Sequence, residues 1–428
     1  MSIIHIKSFR NFVNSVFILI PFALVTGPFL ADLFLCIVAL YGLCSIFSRD
    51  LREKYLFNIY ILILILFYLS SLISSIYSDD IIFSLESSLF FFRYPLFIFG
   101  GVCLLHFNAN LIKYFSYSVT LVILVIFFDL IFEIVFGFNT LGNVSPYKNI
   151  GRYSSFFSEE LIMGKFTSLL LPYIFLFNFY KNNKSQQQNI LLVLFIPIAF
   201  IVIFFSGERT ALIYFIIFLI ILLTSNFITT KIKFFTFFLI LVIFSSTLVV
   251  PNKFKDRLID STINQIILKY NDSEKFEIKF FSEIHELHYK TALNMFYQNK
   301  IFGIGPKMFR KLCDDEKYVV KLKYDRLKDY ENITNGCSTH PHNYYLQIIS
   351  ENGTFGFLII LSLISIILAK LTKLEKFPDL SMNRYILFII LINLFPFVPT
   401  NSFFNNWISV IIYLPFVFLI FSERKKIN

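Results

Sequence analysis

Hydrophobic residues are laid along this chain in long unbroken blocks, with charge confined mostly to the gaps between them. The blocks fall near 12–28, 29–47, 56–77, 88–106, 114–136, 161–180, 189–205, 208–226, 233–250, 343–370, 384–399 and 403–421. A helix needs about 20 apolar residues to cross roughly 30 Å of hydrocarbon, and most blocks approach that length. Lipid offers no partner to a free backbone N–H or C=O, so continuous blocks predict helices and not the alternating strands of a barrel. The expected fold is an all-α polytopic membrane protein with about twelve transmembrane helices. The first block follows Lys7 and Arg10 as a secretory leader would, but no small-residue cleavage site leads into a soluble domain, so it is read as a retained helix.

Charge in the gaps sets orientation. Lys7 and Arg10, Arg49, Arg52 and Lys54, Lys113, Lys181 and Lys184, Lys231 and Lys233, Lys370, Lys373 and Lys376, and Arg424, Lys425 and Lys426 share one side if every block crosses once. The other side carries Asp79, Asp80 and Glu86. The positive-inside rule then puts both termini in the cytoplasm and makes the number of crossings even. Three parts of one membrane domain follow: 1–250 with nine helices, an outer loop over 251–342, and 343–428 with three more helices. A loop of about ninety residues crosses largely regardless of its own charge.

The loop mixes Glu283, Glu286, Asp314, Asp315 and Glu316 with Lys253, Lys255, Arg257, Arg310 and Arg326. Tyr289, Ala292, Leu293 and Phe296 recur at helical spacing, which predicts an amphipathic helix lying on the bundle or in the interface. Gly303 and Gly305 end it in a turn; without a preceding strand, Gly-Ile-Gly is not read as a phosphate loop. Cys313 and Cys337 both lie in the loop, where an oxidising compartment permits a bridge just ahead of His340.

The candidate chemistry gathers at the end of that loop. His340 and His342 flank Pro341 at the entry to the tenth block, and imidazole takes and returns a proton near neutral pH. Helix capping or headgroup contact is the alternative use of such a pair. His-Pro-His without a third ligand is not read as a metal site. A second polar break, Ser206-Gly207-Glu208-Arg209-Thr210-Ala211, separates two apolar blocks, where Glu and Arg are expensive unless used. A guanidinium there can bind phosphate oxygens through paired hydrogen bonds. Arg93 near the outer end of the fourth block, Arg152 in the 137–160 loop and Arg257 after the ninth block are further candidates for the same anion. The formal charge of +10 sits largely in loops, and no nucleic-acid module accompanies it. With 58 Phe residues, no single aromatic position marks a ligand site.

These motifs resemble the O-antigen ligase and O-antigen polymerase superfamily of bacterial envelope glycosyltransferases. His342, Asn343, Leu346, Glu351, Gly353 and Gly356 match its H-N-x-x-L-x-x-x-x-E-x-G-x-x-G pattern, and 206–211 matches its S-G-S-R-T-A-like turn. Ala292 to Phe309, with Gly303 and Gly305, is similar to its helix and G-x-G turn, and Arg152 with Phe156 and Phe157 to its R-x-x-G-x-F loop. The resemblance implies metal-independent, inverting transfer of a glycan from undecaprenyl diphosphate at the periplasmic face of the inner membrane, with no cofactor. The acceptor would be lipid A core or a growing glycan, His342 the base with His340 as the other choice, and Arg209 with a second Arg the diphosphate clamp. Two departures stand out: Glu208 replaces a small residue, and His285 lies near the position of an expected Arg. A repeat-unit polymerase shares this chemistry. A lipid-linked-sugar flippase is a different class, and it predicts more charge in mid-helix than this chain carries.

Overall fold

The computed structural model describes residues 3–181, 186–249, 280–320, 335–373 and 380–425, with short pieces at 253, 256–257, 262–263, 267–269 and 276–278. Lys184, Lys255, Arg326, Lys376 and Lys426 lie outside the described residues.

Every apolar block carries helix. In chain order these are α1 (Ile3–Thr26), α2 (Pro28–Ser45), α3 (Ile59–Ile76), α4 (Arg93–Phe107), α5 (Leu111–Phe136), α6 (Met163–Ile174), α7 (Gln186–Ser206), α8 (Arg209–Thr224) and α9 (Thr230–Val249). Then come α10 (Glu283–Gln298), α11 (Tyr344–Lys373), α12 (Met382–Asn393) and α13 (Ser409–Lys425). Among the described residues, six stretches are long and apolar enough to cross a membrane individually: Lys7–Thr26, Pro28–Ser45, Ile59–Ile76, Ile81–Phe107, Leu111–Phe136 and Tyr344–Lys373. Leu194–Ser206, Arg209–Thr224 and Met382–Asn393 are shorter apolar helices. The architecture is that of a helical polytopic membrane protein, with several blocks built from broken helices. The sixth block, for example, passes from α6 through Pro172 and a break at Phe175 into Leu176–Lys181.

The core is built around two helices that are buried on every side. Every residue of α6 is buried, as are all positions from Trp407 to Ser422 along α13. Both are mostly apolar, and Thr167 and Ser168 of α6 turn their hydroxyls back to their own helix, so neither helix has a face for lipid or water to prefer. Polar ties cross this core: the indole Nε1 of Trp407 donates to Leu24 O at 2.7 Å, and Asn393 Nδ2 to Ile411 O at 3.0 Å. Elsewhere small residues set the spacing. Gly42 of α2 and Gly100 of α4 face each other so closely that a methyl at either would run into the backbone carbonyl of Leu96 or Val38. Lipid tails are as apolar as side chains, so such close backbone approach, through dispersion, is what draws these helices together.

The loop ahead of α11 departs from expectation in two ways. It contains a two-stranded antiparallel ribbon, Ile267–Lys269 with Phe276–Ile278, where no strand was expected. The amphipathic helix is present as α10, with Leu287, His288, Tyr289, Thr291, Ala292 and Met295 buried, so Tyr289 and Ala292 of the expected stripe face inward and the other two expected positions do not. Leu293 and Phe296 are only partly buried, because the polar His288 and Thr291 point inward in their place.

We expect Gly100→Ala or Gly42→Ala to force α2 and α4 apart at a cost of about 1–3 kcal/mol, the usual penalty for overpacking. Thermal melting of the detergent-solubilised protein checks this, and an unchanged midpoint would show that the two backbones do not touch.

Candidate active site

The start of α11 is held by the side chain of Asn343. Its Oδ1 accepts from the N–H groups of Tyr345 and Leu346 at 3.0 and 3.2 Å, and its Nδ2 donates to Pro396 O at 3.0 Å. His342 immediately precedes it with φ of 54°. That left-handed backbone costs a non-glycine residue on the order of 1–3 kcal/mol and persists only where neighbours hold it. The neighbour here is Thr400, whose N–H donates to His342 O at 2.8 Å.

Four imidazoles meet at this turn. The His342 ring lies 4.1 Å from that of His340 and 5.4 Å from those of both His285 and His288, centroid to centroid. The last two stand one turn apart on α10, which starts at its cap Ser282. His340 has both nitrogens occupied: Nε2 donates to Thr400 O at 3.3 Å, which leaves Nδ1 to accept from Thr339 Oγ1 at 2.9 Å. His288 Nδ1 donates to Gly336 O at 3.0 Å, and His285 Nδ1 bonds Ser282 Oγ at 2.6 Å. No group among the described residues hydrogen-bonds the ring of partly exposed His342. Burial, reinforced by His340, His285, His288 and Lys165, pushes His342 down to about 2. Burial likewise takes His285 and His340 down to about 4 and lowers His288. All four rings are therefore neutral near pH 7, the form in which a ring nitrogen can accept a proton.

The second half of the site is the turn between α7 and α8. Gly207 adopts φ of 63°, and any side chain there would collide with Gly151 O, so only glycine lets the 137–160 loop close on the turn. Tyr153 N donates to Phe205 O at 3.1 Å across the same contact. Arg257 Nε donates to Gly207 O at 3.0 Å and Arg209 Nη2 to Arg257 O at 3.2 Å. Burial first, and then the nearby Arg257, takes Arg152 down to about 10, so its guanidinium remains cationic at neutral pH.

Glu208 explains its own presence. Its carboxylate accepts from the N–H groups of Gly164 and Lys165 at 2.7 and 3.3 Å, satisfying two of the free donors at the start of α6. Burial pushes it up to about 7, against the pull of Arg152 and the α6 amides. From the same turn of α6, Lys165 Nζ donates to Asn401 Oδ1 at 2.8 Å, beside the Thr400 that holds His342. The arginine turn, Glu208, Lys165 and the histidine turn thus form one connected polar strip.

Two buried acids of α5 organise the loop that carries Arg152. Asp129 accepts from Thr140 N and Oγ1 at 2.8 and 2.5 Å and from the Ser155 hydroxyl. Glu133 accepts from the N–H groups of Ser145 and Ser155, each at 3.1 Å, and from the Ser145 hydroxyl.

Of the expected arginines, Arg152, Arg209 and Arg257 come together. Arg93 does not join them: its Nη2 pairs with Asp32 of α2 at 3.1 Å, an acid in the neighbouring helix that the block pattern alone did not connect to it. Gly303 (φ 73°) and Gly305 (φ 101°) form a turn that lies along α11 where Gly353 (φ 65°) kinks it, with Ile304 N donating to Ser350 O and Gly305 N to Glu351 O, both at 2.9 Å. Buried Glu351 in turn accepts from Phe309 N at 3.3 Å and Gln347 Nε2 at 3.0 Å. Cys313 and Cys337 are joined as a disulfide with Cα atoms 4.8 Å apart. Their sulfurs and a nearby Asp314 carboxylate form the one group of metal-type ligands drawn together among the described residues, and the bond between the sulfurs removes both thiolates from ligation. The sequence reading missed His288, Lys165, Asp129, Glu133 and Thr400. A charge inside an apolar block marks three of these, and His288 is marked only by its distance of three residues from His285.

Residues 192–361 match a family model described as O-antigen ligase, a span that includes Arg209, Arg257 and all four clustered histidines but not Arg152 or Arg93. No curated protein matches the chain. The matched segment, set within a bundle of membrane helices, is thus similar to the O-antigen ligase family over residues 192–361.

Proposed function

We propose that the protein moves a glycan from undecaprenyl diphosphate to an acceptor hydroxyl, on lipid A core or a similar acceptor, at the periplasmic face of the bacterial inner membrane. Both termini are cytoplasmic in this reading, and 251–342 forms the periplasmic loop between the two helical parts. Arg209, Arg257 and Arg152 hold the carrier diphosphate through charge-assisted hydrogen bonds. His342 takes the acceptor proton as the hydroxyl oxygen attacks the anomeric carbon from the face opposite the leaving diphosphate, which inverts that centre. The observation that carries the reading is the unoccupied, partly exposed ring of His342 at one end of a polar strip whose other end is the arginine turn. His340 is the poorer base, since both its nitrogens are already engaged. A bound diphosphate adds negative charge beside the cluster and raises the basicity of His342 towards the range in which general bases work best.

In a deletion strain, wild-type protein should restore core-attached polymer, and His342→Ala should lower transfer by about 10²–10⁴-fold, the usual share of a general base. Polymer stranded on the carrier above bare core identifies the ligase, core capped by one repeat unit identifies a polymerase, and full rescue by His342→Ala removes the proposal. Arg209→Ala should lower kcat/KM by about tenfold or more, from the loss of a charge-assisted bond, with Arg209→Lys restoring only part because an ammonium cannot donate in parallel pairs.

The histidines also set a pH response. Each is charged more readily unfolded than folded, so their contribution is complete above about pH 6.5 and is lost as pH falls towards 4. Hydrogen exchange of α10 should accelerate across that window, more in the wild type than in His285→Gln/His288→Gln. Equal responses in the two proteins would mean that other groups set the acid limit.

A further inference from the structure

His288 is one of the imidazoles that the proposed chemistry leaves unused, and its tautomer is fixed by its surroundings. It is 5% exposed and donates from Nδ1 to Gly336 O at 3.0 Å. A carbonyl only accepts, so Nδ1 carries the hydrogen and Nε2 presents a lone pair. Gly336 cannot shift to release it. The residue is buried against α10, where any side chain would strike Thr291 Oγ1 and Leu287 O, and its N–H donates to Val320 O at 3.1 Å. The next residue, Cys337, is bonded to Cys313, which packs with Ala292, Met295, Met308 and Phe309. The tautomer of His288 is thus fixed from behind by a clamped carbonyl.

We infer that His288 is the positioning residue of the base, accepting a hydrogen bond at Nε2 from His342, directly or through one water, and receiving its proton after each transfer. The inference rests on His342 being the base. The two rings are 5.4 Å apart and inclined by 36°. His340 cannot take this role with both nitrogens engaged, and His285, bonded to Ser282 at the start of α10, is the next ring outward. The titratable groups that face His342 from the packed elements are His340 on its own turn, His285 and His288 on α10, and Lys165 on α6.

The balance is as follows. The acceptor oxygen forms its bond to the anomeric carbon and gives its proton to one nitrogen of His342, while the carbon–oxygen bond to the diphosphate breaks and its electron pair leaves with the diphosphate. The leaving group departs as an anion and carries no proton away. His342 then passes the proton from its other nitrogen to His288 Nε2; as water takes the proton left on the first nitrogen, His288 Nε2 returns its own to His342, so each cycle releases one proton and restores both rings.

The test compares His288→Ala and His288→Gln in the full-length protein, in membranes of a deletion strain that hold its own lipid-linked glycan. Glutamine keeps a donor for Gly336 O and an acceptor for His342 but takes no proton. The expected result is a first turnover near wild type with steady-state transfer about tenfold slower for His288→Gln. For His288→Ala both fall, and added imidazole restores turnover. A shifted acid limb in the His288→Gln pH profile is also expected. Wild-type turnover and pH profile in both variants overturn the inference, as do equal losses in both with no rescue by imidazole, the signature of packing alone. Activity of His342→Ala is read in parallel: if it is full, the base assignment itself fails, whereas an inactive His342→Ala beside unaffected His288 variants removes only the relay.

Discussion

The bond on which this end of the bundle depends is that between the Glu208 carboxylate and the amides that open α6. It lies where water is scarce, so the hydrogen bonds are strong and the alternative, leaving two helix donors bare, is costly. Through it the turn bearing Arg209 is fixed to the most buried helix of the protein. One turn of that helix then hands the linkage on, by way of Lys165 and Asn401, to the backbone of Thr400 and His342. A cationic turn and a histidine turn that are more than a hundred residues apart in sequence are registered against a common support. Surface loops joined by side chains alone would not hold such a distance.

This explains why a glutamate can stand where the superfamily resemblance leads one to expect a small residue. A small residue would leave the start of α6 to be satisfied by other means. Here the carboxylate bonds the helix amides, so the positive charge of Arg152, Arg209 and Arg257 is only partly offset. Arg152 is kept close to that cluster from the opposite direction by Asp129 and Glu133, which spend their lone pairs on the loop backbone and hydroxyls.

The helices were legible because apolar run length is a strong, local signal, and each block indeed became helix. The histidine turn was legible because His, Pro and Asn together break an apolar pattern abruptly. What could not be read was partnership. Arg93 looked like one more outward arginine until Asp32, two helices earlier in the chain, proved to face it. The stripe of α10 was half misjudged because hydrophobicity was used to find its inner face, whereas that face also holds His288, whose Nδ1 is met by the Gly336 carbonyl, and Thr291, which packs against Gly336. Polar residues that turn inward defeat a rule that assigns them to water. Lys165, Asp129 and Glu133 were visible as charges inside apolar blocks, but their purpose depends on segments that no local window contains.

The position of α13 bears on how the chain is assembled. This helix is packed on all sides by helices that are synthesised before it, several of them by hundreds of residues. As the ribosome delivers the earlier segments to the membrane, the space that α13 fills must be held open, lined by lipid or by provisional contacts among α1, α4 and α6. Tight packing arrives only when Trp407 to Ser422 slides into that space. The centre of the bundle is therefore filled late, and a nascent chain stalled before residue 407 would lack the helix on which α1, α4 and α6 pack.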